Sequence, residues 1–249
     1  MGQEIELDEL DRSVAAAESE VAALPRSEES KKQESQDPKD EDVERRVLSE
    51  ATRSPKVALL LLTSEVEREV HELLATFGRL EDRRYIPFRE AVQMLQQSGV
   101  LPEHVSSSVE LFWNVRNRLV HGREASSDDV VRAVDSGITI LKALRSIPRE
   151  THIVYHPGVE VYADPEGRQV RQGVKGIILE TRGSDATAMM LCRMFATTKN
   201  HFQEGKRVAW EWSFERQFET SWYKDQDTNE MKKAWEGSAD FVGRHLEDL

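Results

Sequence analysis

Cysteine occurs once in the 249 residues, at Cys192. A single thiol excludes an intrachain disulfide and any zinc site built on two cysteines of one chain. A reducing compartment follows naturally. Long apolar runs are missing too: the longest, Val57 to Leu62, is far short of the roughly 20 residues that cross a bilayer. The N-terminus lacks the basic-then-apolar pattern of a secretion signal. There is no Gly-rich phosphate loop and no Ser-centred nucleophile elbow. The expectation is a soluble cytoplasmic protein with no membrane contact and no bound cofactor or metal.

Charge is plentiful but unevenly spread. Residues 1–50 carry 16 Asp and Glu against 7 Lys and Arg, so they hold most of the chain's net charge of -12. The remainder is close to balanced, and the acidic total therefore does not exclude RNA as a ligand. The stretch SEESKKQESQDPKDEDVERR is almost wholly polar and buries too little surface to offset its ordering entropy. Residues 1–53 are thus expected to be an acidic disordered tail, with a transient or partner-induced helix over 4–24.

Order is expected from Ser54-Pro55, a good N-cap followed by the residue favoured at the first helical position. Leu59, Leu62, Val66, Val70, Leu73 and Phe77 then recur at steps of three and four, and Gly78 closes the pattern. Phe88, Ala91, Val92 and Leu95 form a second stripe, ended by Gly99. Val105, Val109, Phe112, Leu119 and Val120 form a third, ended by Gly122. Val130, Val134, Gly137, Leu141 and Leu144 form a fourth, opened by the capping-box pattern Ser126-Ser127-Asp128-Asp129 and stopped by Pro148. Four amphipathic helices with short connections predict an antiparallel four-helix bundle over 54–148.

From 149 to 249 the period changes. Val159, Val161 and Ala163 alternate up to DPEG, a type I turn sequence. KGIILE and TAMMLCRMF read as buried strands, with Cys192 in the core. RVAWEWSF alternates at period two, and SWYKDQDTNEMKKAW reads as a hairpin looped at DQDTNE. The stretch 214–222 also fits a helix, because Phe214, Phe218 and Trp222 are four apart. The expected fold class is α+β, a helical bundle followed by a small mainly β domain.

The chemistry-bearing stretch is FWNVRNRLVHG, residues 112–122. Asn117 and His121 are four apart and share a helix face. Arg116 lies about 140° round from His121, with a side chain long enough to reach toward it. Imidazole titrates near neutrality, which suits general acid–base work. A guanidinium is a fixed cation able to hold a phosphate bidentately. The competing reading is helix-end and dimer-seam stabilisation, with Glu65, Glu67 or Glu69 as an acidic partner for Arg116.

Arg116, Asn117 and His121, in the order R-N-x-x-x-H at the end of a bundle helix, resemble the signature of HEPN domains. SPKVALLLLTSEVEREV is similar to the opening helix of one widespread bacterial HEPN subgroup of unknown function. The resemblance covers 54–147 and leaves the C-terminal part unrecognised. It implies a homodimer in which paired motif helices line one cleft and cleave RNA without metal, through 2′-OH attack to a 2′,3′-cyclic phosphate. His121 would move a proton, Arg116 would neutralise charge at phosphorus, and Asn117 would position either. It equally allows an inactive RNA-binding or protein-interaction module in a defence or stress system.

Arg118, Arg123, Lys206, Arg207 and Trp210 are further candidate RNA contacts, the last three within a Trp-rich, partly basic stretch. Large aromatics also serve as the core of a small β domain. The acidic tail or the C-terminal domain is the expected surface for a protein partner. His152 and His156 are four apart, but Pro157 argues against a shared helix face and hence a metal pair.

Overall fold

A computed structural model of the chain describes residues 2–24, 38–80, 83–121, 126–183, 191–234 and 239–249. It is a mixed helix and sheet protein whose contacts fall into two compact units. The first takes in Met1–Leu73 and Ile86–Pro148, the second Leu74–Tyr85 and Arg149–Leu249. No helix among the described residues is long and apolar enough to cross a membrane.

The helices are α1 (Gly2–Ala22), α2 (Pro38–Ala51), α3 (Pro55–Thr76), α4 (Phe88–Gln97), α5 (Glu103–His121) and α6 (Ser127–Arg145). The four apolar stripes of the sequence correspond to α3 to α6. Within the expected disordered tail, α1 covers the stretch expected as a transient or partner-induced helix, and α2 stands where no helix is expected; residues 25–37 lie outside the described residues. Leu7, Leu10, Val14, Ala17 and Val21 fall at steps of three and four and are all buried, and α1 packs on α5 and α6. Each fully buried Leu or Val contributes about 1.5–3 kcal/mol, which the average composition of the segment conceals. Arg132 of α6 then binds Asp8 and Asp11, each at 2.7 Å, and Ser13 meets Ser108 at 2.8 Å.

Inside the first unit, α3, α5 and α6 approach closely at Gly137. A Cβ there would come within 2.6 Å of Leu62 Cδ2 and Phe112 Cε2, so the small residue sets the helix spacing. The capping box at α6 is present: Asp129 N–H donates to Ser126 Oγ at 3.1 Å, and Ser126 N–H to Asp129 Oδ2 at 3.4 Å.

The second unit is built on β1 (Thr151–Tyr162), β2 (Val170–Arg182), β3 (Leu191–Thr197), β4 (Arg207–Val208), β6 (Trp222–Lys224) and β7 (Met231–Lys233). The order across the sheet is β3-β2-β1-β6-β7, with β4 also on β1. A separate antiparallel pair joins β5 (Trp212–Gln217) to β8 (Ala239–Phe241). Alternate residues of β2 feed two cores. Ile177 and Leu179 join Val154, Phe195, Phe202, Val208 and Phe241, whereas Ile178 joins Val159, Val161, Met194 and Tyr223.

The expected hairpin is β6–β7, and 212–217 is strand rather than helix. The expected strand over 207–214 is broken after Val208. Ala209 N–H donates to Arg244 O at 2.8 Å and Trp210 N–H to Ala75 O at 2.9 Å, so the backbone leaves the β1 ladder there. Residues 187–190 of the expected third strand lie outside the described residues. Cys192 lies in β3 but is exposed, a correction to its expected core position: its cross-strand neighbour is Glu180, not an apolar residue. The segment from the end of α3 to the start of α4, Leu74–Tyr85, belongs to this unit. Gly78, at φ +68°, ends α3, and an added Cβ would meet Trp210 O at 2.9 Å. Arg244 forks onto Glu211 at 2.7 and 3.0 Å and also donates to Arg83 O at 3.0 Å.

Candidate functional site

The last three turns of α5 open on a cleft of about 650 Å³. Asn117 and His121, one turn apart, both line it, as their spacing requires. Arg118 lines it too. Arg89 enters from α4, its guanidinium donating to Asn114 Oδ1 at 3.0 Å. Glu6 and Glu9 enter from α1, and the Glu6 carboxylate forms an ion pair with Arg118. Leu111 and Val115 supply apolar lining.

Arg116 is not among the lining residues. Its Cζ sits 5.5 Å from the centroid of Trp113, whose ring stacks on Phe88 at 4.1 Å. Its Nη1 donates to Asn117 Oδ1 at 2.8 Å, while its Nε is buried without a hydrogen-bond partner. Phe88, Trp113, Arg116 and Asn117 thus form one chain of contacts, ending at the cleft-lining Asn117. Of the carboxylates expected as partners for Arg116, Glu65 instead binds Arg46 and Arg68, and Glu69 lies 3.5 Å from Arg145. Among the described residues no carboxylate pairs with Arg116.

The cleft therefore gathers an imidazole, two amides and two guanidiniums around an open space, with two carboxylates contributed by α1. Such a set can hold an anion and transfer a proton. Among the described residues no cluster of three or more metal-ligating side chains occurs.

No protein-family model, curated protein or solved structure matches this chain. The functional reading therefore stands on the site's own geometry and on the sequence motif.

The other candidate RNA contacts lie elsewhere. Arg123 is outside the described residues, as is Gly122. Lys206, Arg207 and Trp210 belong to the second unit. Lys206 pairs with Glu247 at 2.9 Å, and Arg207 lies opposite Ile153 in the β4–β1 ladder. Trp210 is committed to packing: it stacks on His152 at 4.2 Å and meets Phe195 edge-on at 5.5 Å. His152 is itself buried, its Nδ1 3.1 Å from Thr181 Oγ1, and burial lowers its pKa to about 4. His156 instead packs edge-on against Tyr155, so the two do not converge. A smaller groove of about 320 Å³ in the same unit is lined by Arg171, Lys175, Thr198 and Asn200, together with Glu160.

Sequence reasoning missed Arg89, Glu6 and Glu9. Arg89 carried no local signal. The two glutamates were legible only through the apolar repeat of α1, which places Glu6 and Glu9 three apart on one face.

Proposed function

We propose that the helical unit is a metal-independent endoribonuclease of HEPN type. The observation that carries this reading is the cleft that Asn117 and His121 share with Arg89 and Arg118, behind which Arg116 is fastened to Asn117. RNA supplies its own nucleophile. The ribose 2′-OH attacks the adjacent phosphorus, the P–O5′ bond breaks, and the products are a 2′,3′-cyclic phosphate and a 5′-OH. One proton leaves the 2′-OH and one reaches the departing oxygen. His121 serves one of these transfers, and the His121 of a second copy in a homodimer serves the other. Arg116 acts through Asn117 rather than on the phosphate directly, and the cleft-lining guanidiniums of Arg89 and Arg118 meet the phosphate charge.

The test is cleavage of RNA in EDTA by the wild-type protein, His121→Ala and Arg116→Ala. The expected result is a cyclic-phosphate product from wild type and a loss of roughly 10²–10⁴-fold in His121→Ala. Equal cleavage by all three, or none by any, overturns the enzyme.

A second reading, an inactive RNA-binding or protein-interaction module, is favoured by two contacts: Arg116 rests on Trp113, and Arg118 is engaged by Glu6. RNA binding that depends on Arg118, without any His121-dependent cleavage, would select it.

A further inference from the structure

The cleft carries its own anion. Glu6 and Glu9 line the same space as Arg89, Arg118 and His121, and the Glu6 carboxylate is paired with the Arg118 guanidinium. A phosphodiester entering this cleft needs the cation that Glu6 already holds. We propose that Arg118, with Arg89, forms a phosphate seat which the chain's Glu6 occupies in the free protein, so that RNA binds by exchanging with this carboxylate. The proposal rests on the ribonucleic-acid reading of the cleft given above.

Three features make the exchange physical. First, Glu6 is not brought to Arg118 by that pair alone. The helix α1 is anchored independently, by Leu7, Leu10 and Val14 in the core and by Arg132 and Ser136 on Asp8 and Asp11. The carboxylate is thus presented at a fixed place without its helix having to move. Second, both partners are partly in water, with 52% of the Arg118 side chain and 29% of the Glu6 side chain exposed. An ion pair of that kind is weak and salt-screened, so a polyanion can displace it by a side-chain rotation. Third, Glu9 lines the cleft one turn further on, and its charge also opposes an anionic ligand. Occupation of the seat raises the threshold for RNA entry and discriminates against isolated small anions, which bring one charge where an RNA strand brings several.

The experiment uses the full chain and a fluorescently labelled single-stranded RNA of mixed sequence, titrated at about 50 mM salt and upward. The variants are Glu6→Gln, Glu6→Gln with Glu9→Gln, Arg118→Ala, His121→Ala and Glu6→Gln with Arg118→Ala. Glu6→Gln is expected to tighten binding about threefold and the double glutamine variant about tenfold. Freeing one more cation for phosphate is expected to steepen the log–log salt dependence by about one. In the Arg118→Ala background the gain from Glu6→Gln disappears. No gain from Glu6→Gln, or a gain that survives loss of Arg118, overturns the exchange while leaving RNA binding at the cleft intact. RNA binding and cleavage unaltered in both Arg118→Ala and His121→Ala overturn the cleft as an RNA site, and the exchange with it. Absence of RNA binding by every variant overturns both, because Glu6→Gln exposes the seat.

Discussion

Arg116 and Asn117 are neighbours in the chain and partners in space: the guanidinium of one donates to the amide oxygen of the other at 2.8 Å. Adjacent helical positions point about 100° apart, so the contact requires the long arginine side chain to curl back along α5. The motif's cation is therefore held away from the cleft and acts on it through the amide. Asn117→Ala removes this acceptor from a cation whose Nε already lacks one. It is expected to destabilise the protein by about 1.5–3 kcal/mol, in keeping with hydrogen bonds to charged groups, and to lower RNA cleavage. Asn117→Asp keeps an acceptor for Arg116 and is expected to retain stability while losing cleavage. Urea unfolding beside a cleavage assay separates the two. If Asn117→Ala were as stable as wild type, the amide would have no positioning role toward Arg116.

Leu10 tests whether the N-terminal segment belongs to the core. It is fully buried on α1, and Leu10→Ala is expected to cost about 2–5 kcal/mol. A disordered tail would show no change. Urea denaturation of the full chain decides it, and an unchanged midpoint would remove α1 from the fold.

His152 makes stability depend on pH with a definite sign. Burial lowers its pKa from 6.5 to about 4 in the folded protein. The folded state thus refuses a proton that the unfolded chain accepts. The stabilisation is complete above about 6.5 and is lost as pH falls from there through about 4, on the order of 3 kcal/mol in all. Unfolding followed by tryptophan fluorescence reports it directly, since Trp210 stacks on the ring. His152→Gln is expected to flatten the slope in this window. Asp225, whose pKa is drawn down to about 2 chiefly by its hydrogen bond with Lys232, contributes only at lower pH. An identical slope in His152→Gln would assign the acid sensitivity to other groups.

Much of the helical unit was legible because its physics is local. Leu59 to Leu73 and Val130 to Leu144 repeat at the helical period, and Ser126 with Asp129, three residues apart, announces the start of α6. The helix α1 shows the limit of reading composition in bulk. Leu7, Leu10, Val14, Ala17 and Val21 keep the same period, but the acidic stretch that follows dilutes them. The strand break after Val208 was not legible at all, because the carbonyls that accept from Ala209 and Trp210 belong to Arg244 and Ala75, remote in sequence. The cleft divides in the same way. A spacing of four predicts that Asn117 and His121 share a face. No spacing predicts that Arg89 and Glu6 arrive from two other helices, whereas the contact of Arg116 with Trp113, three residues apart on α5, follows from helical spacing.

The interleaving of the chain has a practical and evolutionary consequence. Ala75 accepts from Trp210, Gly78 leaves room for the backbone oxygen of Trp210, and Arg83 accepts from Arg244. A gene truncated to begin at Arg149 would encode the sheet without the peptide that satisfies these donors. Neither recombination nor a protein engineer can therefore cut cleanly at that residue and carry off an intact C-terminal module: the piece that completes it, from the last turn of α3 to the start of α4, is encoded well upstream, at Leu74–Tyr85.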